Sequence, residues 1–240
     1  MSDDLYVQSG EFIDVLSRGA WETLAVPVAQ ALTRARPEQG PIVDIGAGSG
    51  LGTLVAARAV PGAELIAVEP SPILRAALLV RLSGDDLARR VTVQAADGDG
   101  MALPDRLGAV LAINMIGHIA PDRRRALWAD LRPRLAPAAP LVVNLQPPPA
   151  PVTVPETPFT SVSVGRRTYQ GSGGARPAGP ESVIWTMHYR VLAEDGVVER
   201  DLVVDYDWYV LSPRQLLDEL TVAGYTAMVT DKDVVVATPA

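Results

Sequence analysis

The residues best able to do chemistry lie in one run, Pro41 to Gly50, where an acid, Asp44, is followed by glycine at 46, 48 and 50. Ile42, Val43 and Ile45 make a short apolar stretch that reads as a buried strand, and a helical pattern begins at Leu51. A strand, a glycine turn and a helix N-terminus form a cradle for a polar ligand. Glycine lets the backbone come close, and the first helical N–H groups are free to donate. Spacing separates the ligand classes. A phosphate loop ends in Gly-Lys-Ser/Thr, and no lysine lies near Gly50. A dinucleotide turn needs G-x-G-x-x-G, but Leu51 or Thr53 stands where its last glycine must be. What remains is an acid at the strand end itself, which repels a pyrophosphate and suits a cationic amino-acid ligand.

The run Asp44-x-Gly46-Ala47-Gly48-x-Gly50 resembles the first motif of the class I S-adenosylmethionine-dependent methyltransferases. The resemblance implies a Rossmann-like α/β fold: a mostly parallel seven-stranded sheet with helices on both faces. It implies S-adenosyl-L-methionine as cofactor, leaving as S-adenosyl-L-homocysteine. Glu69 ends the second strand, 69 − 50 = 19 residues after Gly50, where the family binds the ribose hydroxyls, with Pro70 beside it. The run from Ala95 to Pro104 resembles the family's third motif; it assigns Asp97 to the adenine amine beside Gly98, with Asp99 as the fallback. Asn114, at the end of strand four, is placed near the cofactor. An N-terminal helical segment lies over the cofactor in this family, so Tyr6, Ser9, Phe12 and Trp21 become candidates to line that lid, with core packing the simpler role for Phe12 and Trp21.

The elements that must position these residues follow in order. Residues 11 to 35 read as helical, with Gly19 and Pro27 as points where one helix divides into two. Helix from Leu51 to Ala59, strand from Leu65 to Val68, a Ser71–Pro72 helix start, and strands at Val91 to Ala95, Ala109 to Met115 and Leu141 to Leu145 alternate as a parallel sheet requires. Where the family has a Pro-Gly-Gly turn, this chain has Pro137-Ala138-Ala139. The proline-dense stretch 147–158 reads as a linker or irregular loop, and the Gly/Pro-rich stretch 171–180 as mobile. β patterns occupy 159–169, 182–193 and 197–209. A helix after Ser212–Pro213 and a hairpin around Asp231-Lys232-Asp233 close the chain. The organisation is one domain: a lid and cofactor-binding core over 1–146, an inserted β-rich element over 147–211, and a closing segment over 212–240. Within the insert, a type I′ turn centred on Asp195–Gly196 sets paired residue numbers summing to 391, so Trp185 faces Tyr206, Met187 faces Val204, Tyr189 faces Leu202 and Arg190 faces Asp201.

Composition narrows the partners. The chain has 240 residues, a formal charge of −7 and no cysteine. Acidity argues against a nucleic-acid partner, and the lack of cysteine excludes disulfides and thiolate metal sites; no metal is expected. No signal-peptide pattern and no apolar run of ~20 residues is present, so no membrane partner and a cytoplasmic location are expected. Richness in Ala, Arg and Pro points to a bacterial genome.

Methyl transfer is an in-line displacement, so the protein mainly positions and desolvates the reactants. A hydroxyl acceptor needs a base and a neutral amine does not. Of the two histidines, His118 lies just past strand four, where ligands of open α/β sheets bind, and is the candidate base or orienter, with Asp122 as its nearest possible carboxylate partner. Tyr206 and His188 are the fallbacks. The aromatics Trp185, Tyr189, Tyr206, Trp208 and Tyr209 form either a small-sheet core or an acceptor pocket; Tyr6, Trp185, Tyr206 and Trp208 are the candidate acceptor contacts. The inserted strands resemble small-molecule methyltransferases such as those acting on amino sugars or glycine, and a homodimer through the insert is a further expectation. The leading reading is transfer to O or N of a small metabolite in secondary metabolism. The alternatives are another reaction on the same scaffold and a non-catalytic cofactor-binding member.

Overall fold

A computed structural model describes residue 4 and residues 6–83, 86–98 and 100–240. Asp99 lies outside the described residues. Among those described, the strands form two sheets. The first is built from β1 (Ile42–Ile45), β2 (Leu65–Val68), β3 (Val91–Gln94), β4 (Ala109–Ala112), β5 (Leu141–Asn144), β10 (Tyr225–Val229) and β11 (Val234–Pro239), in the order β3-β2-β1-β4-β5-β11-β10. β1 to β5 pair in parallel, while β11 runs antiparallel between β5 and β10. Order reverses at β1 and β4, so the crevice beyond their carboxyl ends is where this topology binds ligands. Helices α1 (Gly10–Leu32) and α2 (Leu51–Ala59) cover one face, and α4 (Pro121–Arg134) and α5 (Pro213–Val222) cover the other. α3 (Pro72–Ser83) buries Leu78 and Leu82 in the α1–α2 layer.

The helix termini follow local chemistry. Ser212 caps α5 through a reciprocal capping box with Gln215, and Pro213 stands at its first position. α1 does not divide: it runs unbroken through Gly19 and Pro27. Pro27 removes one backbone donor, but Leu24, Val28, Ala31 and Leu32 are buried around it, and that packing outweighs the local cost.

The second sheet has the order β6-β7-β8-β9, with β6 (Val154–Val164), β7 (Arg167–Gly179), β8 (Ser182–Leu192) and β9 (Val198–Tyr209) all antiparallel. Three expectations fail here. The expected strand over 159–169 is two strands joined at Gly165. The proline-rich stretch already becomes β6 at Val154; β6 is an edge strand, where Pro155 and Pro158 cost the sheet little. The stretch expected to be mobile is most of β7, and its glycines make room for neighbours. A Cβ on Gly171 would lie 2.3 Å from the Phe159 ring, and one on Gly173 2.8 Å from Met187 Sδ.

The β8–β9 register matches the sum of 391 from Ser182 to Val191, with Trp185 opposite Tyr206 and Arg190 opposite Asp201. The turn differs. Gly196 has a positive φ of 83° but Asp195 does not, which excludes type I′. Gly196 N–H donates to the Ala193 carbonyl, and Ala193 N–H to the Val197 carbonyl. This is a three-residue loop with a left-handed glycine, and it sets a sum of 390 at Leu192–Val198. Glu199 is left unopposed, and this bulge restores 391.

Candidate active site

Gly46, Gly48 and Gly50 all have positive φ, at 69°, 56° and 89°. A Cβ on Gly46 would press to 2.8 Å from Met115 Cβ, whereas one on Gly48 would meet no described atom within 4 Å. Space therefore lies above Gly48, at the centre of the cradle. Asp44 is buried at the strand end and accepts from Thr53 Oγ1 at 2.6 Å. Burial pushes its carboxyl up to about 7, held down in part by Thr53 and raised further by Glu69. A cationic ligand group beside it would offset that burial.

Glu69 is buried at the end of β2. One oxygen accepts from Gly48 N–H at 2.7 Å and the other from Ser71 N–H at 2.8 Å. A carboxylate offers about four acceptor sites, so each oxygen keeps capacity for a ligand hydroxyl. Burial raises its pKa, opposed by those two N–H groups and by Arg75. Arg75 also holds the carbonyls of Glu69 and Pro70. Asp97 is exposed and turns the chain by accepting from Gly100 N–H at 3.0 Å; with Gly98 it lines a cavity of about 650 Å³. Ala47 is buried, its N–H bonded to the Val68 carbonyl. Asn114 has a left-handed φ of 58°. It is locked to Asn144: its N–H donates to Asn144 Oδ1 at 2.6 Å, and Asn144 Nδ2 donates to its Oδ1 at 2.7 Å. That pair fixes the backbone at the start of the loop after β4 and occupies one acceptor site of the Asn114 oxygen.

His118 ends a short 3₁₀ turn, Ile116–His118, on the wall of the same cavity. Its Nε2 is 2.9 Å from the Tyr6 hydroxyl. Its Nδ1 is buried with no hydrogen-bond partner among the described residues. Trp208 meets the imidazole edge-on at 4.7 Å and lies so close to Gly117 that a Cβ there would come within 1.9 Å of the indole. Burial lowers the His118 pKa to about 4. Asp122 does not serve it: that carboxylate is exposed and pairs with Arg125.

Asp4, Tyr6 and Ser9, before α1, each reach a different element. Asp4 accepts from Ser71 Oγ at 2.9 Å, Tyr6 reaches His118, and the buried Ser9 hydroxyl bonds Tyr206. The Tyr6 and Tyr206 rings lie 5.7 Å apart, tilted by 35°. Burial raises both phenols above their ordinary range, Tyr6 the further, with Tyr206, Glu69 and Asp4 adding to the Tyr6 shift; a phenol so raised makes a poor base. The sequence candidates thus divide. Tyr6, His118, Tyr206 and Trp208 meet at one place, with Trp208 as support for the His118 turn. Trp185 faces Tyr206 from β8. His188 is excluded from the site: it points to the opposite face of the sheet from Tyr189, pairs with Asp201 and lies 3.5 Å from Glu156. Phe12 stacks on Tyr189 at 5.0 Å in the core between α1 and the second sheet, and Trp21 lies against Gly52 behind the cradle.

Sequence reasoning missed Thr53, Asn144, Gly117, Arg75, Asp14, Ser49 and Arg81. Thr53, a hydroxyl in the first turn after the glycines, carried a usable signal. Asn144, a polar residue ending an otherwise apolar strand, carried another. Arg75 acts on the carbonyls of Glu69 and Pro70 close by; the others act through partners distant in the chain.

Residues 42–138 match the family model of a methyltransferase domain. No curated protein matches the chain. Among solved structures, DesVI of Streptomyces venezuelae is similar at 17% identity and a TM-score of 0.77, over 99% of this chain and 98% of that one. CalS10, an amino pentose methyltransferase of Micromonospora echinaspora involved in calicheamicin biosynthesis, aligns over the whole of both chains at 21% identity and a TM-score of 0.75. The sugar N-methyltransferase KedS8 of a Streptoalloteichus species aligns at 20% identity and a TM-score of 0.71, covering 93% of this chain and 90% of that one. At these identities the likeness establishes the fold alone.

Proposed function

From the premise that this chain is a class I S-adenosylmethionine-dependent methyltransferase, we propose that its acceptor is an amino group on a small bacterial metabolite, a sugar of secondary metabolism in particular, methylated in the cytoplasm. The observation that carries this reading is His118, a neutral imidazole buried just past β4, with Nε2 engaged by Tyr6 and Nδ1 buried with no hydrogen-bond partner among the described residues. The similar proteins acting on amino pentoses and sugar nitrogens support the same acceptor class.

When bound, the cofactor supplies a methyl group activated on a sulfonium centre. Glu69 would hold the ribose hydroxyls, Asp97 with Gly98 the adenine edge, and Asp44 with the glycine turn the aminoacyl end. Tyr6 and Ser9 exclude water from above. With Nε2–H donated to the Tyr6 oxygen, Nδ1 keeps its lone pair and would accept an N–H from the acceptor amine once the atoms covering it move aside. This aims the nitrogen lone pair along the line of displacement. A histidine whose pKa is lowered to about 4 is too weak a base to take a hydroxyl proton, but it remains a sound hydrogen-bond acceptor across pH 5.5–9. That is the physical reason to favour N over O.

The test is wild type and His118→Ala against a panel of amino and hydroxy sugars. The expected product is an N-methyl sugar, with the rate rising through the acceptor amine's own pKa. His118→Ala should lose about tenfold in rate, the size of one neutral hydrogen bond, with cofactor affinity kept. O-methylation alone, or a limb near the ordinary histidine value of ~6.5 that vanishes in His118→Ala, would overturn the reading.

A further inference from the structure

The glycine turn is held from outside itself. Ser49 is buried between the two left-handed glycines Gly48 and Gly50. Its hydroxyl donates to Asp14 Oδ1 on α1 at 2.7 Å. Its carbonyl accepts from the guanidinium of Arg81 on α3, and that guanidinium also donates to Asp14 Oδ1 at 2.6 Å. Arg18, one turn further along α1, donates to the other Asp14 oxygen at 2.6 Å. Three elements therefore converge on one carboxylate. Asp14 and Arg81 are only 16% and 17% exposed, which separates this pair from a solvated surface bridge of negligible effect.

The Ser49 hydroxyl has an alternative use that it does not take. A serine next to a helix start commonly caps the free N–H groups of the first turn. Here α2 has no side-chain cap, and its cap position is Gly50. Drawn outward to Asp14, the hydroxyl leaves those donors to a polar ligand in the cradle. Farther along α1, Trp21 presses on α2: a Cβ on Gly52 would lie 2.9 Å from its ring and 3.2 Å from Asp44 Oδ2. α1 thus braces both the apex and the back of the cradle.

We propose that Asp14 is a cofactor-positioning residue: by holding Ser49 it preorganises the glycine turn and makes docking of α1 and binding of S-adenosylmethionine one coupled event. The carboxylate is ionised in this role. Burial alone would raise its pKa, but the hydrogen bonds from Ser49, Arg81 and Arg18 outweigh it and hold the pKa below its ordinary value.

The experiment is calorimetric titration of the full chain with S-adenosylhomocysteine for wild type, Asp14→Ala, Ser49→Ala and the double variant. It is accompanied by cofactor KM, kcat and the unfolding midpoint without ligand. Asp14→Ala should bind about 10- to 50-fold more weakly, the size of a charge-assisted hydrogen bond. Ser49→Ala should bind about fivefold more weakly or worse with its midpoint nearly unchanged, and the double variant should be no weaker than Asp14→Ala, because both changes break one contact. KM for the cofactor should rise while kcat at saturation holds. A purely structural Asp14 would lower the midpoint and leave affinity within about twofold; that result, or penalties that multiply in the double variant, overturns the proposal. Should Asp14→Ala fail to fold, Ser49→Ala decides alone: wild-type affinity overturns. The proposal rests on the cofactor assignment. A wild-type chain that binds no S-adenosylhomocysteine would overturn both, and is distinguishable from a selective loss in the variants.

Discussion

In the core, β1, β4 and β5 are four residues long and buried at every position. In the insert, strands run to 11–13 residues and cover the site with one face while the other meets solvent. The two regions place the same residue types under different rules. A glycine in the core turn sets a backbone angle; a glycine in β7 makes room for a neighbour's side chain. A charged pair between α4 and α5 is buried, while the charged pairs on the insert's outer face are solvated.

The largest effect expected from this contrast lies in the charges. Glu219 accepts from Arg124 through two nitrogens, at 2.8 and 3.0 Å, and from Trp128 Nε1 at 3.2 Å, and Arg124 is 1% exposed. Glu219→Ala leaves a buried guanidinium uncompensated and should cost about 3–5 kcal/mol. In the insert, Arg166 and Glu194 are 80% and 64% exposed, and Glu194→Ala should cost no more than about 0.5 kcal/mol. Urea unfolding of both variants measures the difference. Equal losses would erase the distinction between the regions.

The second contrast concerns close approach. Gly117→Ala drives a methyl into the buried Trp208 indole, which has no free direction to move, and should cost about 1–3 kcal/mol. It should also displace His118, so methyl transfer falls even where the protein stays folded. Gly171→Ala meets only the tip of Phe159, a half-exposed ring on an edge strand. That ring can swing aside, so the cost should stay under about 1 kcal/mol with transfer kept. A thermal midpoint and a rate for each variant are enough. A Gly171→Ala loss as large as that of Gly117→Ala would mean that the insert packs as tightly as the core.

These contrasts explain what was legible in the sequence. The core's cradle is local: Asp44, the three glycines and Glu69 sit at fixed offsets from strand ends, and the structure places them together. β2 and α2 fall at the very residues read from periodicity. In the insert, alternation gave the β8–β9 facing pairs but not the turn, because the bulge at Glu199 compensates a one-residue difference that alternation does not see. Composition misled at 171–180, where glycine stood for packing against Phe159 and Met187. Asp14, Arg81 and Gly117 were silent for another reason: the partners that tie them to the site lie 32 or more residues away and become neighbours only when α1, α3 and β9 dock.

The smallest effects come from two turns that share a left-handed angle. Ala138, in the turn before β5, has φ 62°, where this family's turn carries glycine. A side chain in that region costs about 1–2 kcal/mol, because Cβ crowds the following carbonyl. Ala138→Gly removes the crowding, but it frees the unfolded chain by roughly 0.5–1 kcal/mol. The net expectation is a gain of about 0.5 kcal/mol, a midpoint rise of roughly 1–2 °C for a chain of this size. Gly196 in the insert's hairpin has φ 83° and no described atom within 4 Å of its missing Cβ, so space is not the issue. Gly196→Ala therefore isolates the angle itself and should lose about 1 kcal/mol less the entropy it recovers. Opposite signs in the two variants are the expected result. A loss in both would mean that Ala138 packs through its methyl group, and that the core has turned a strained angle into a contact that glycine cannot make.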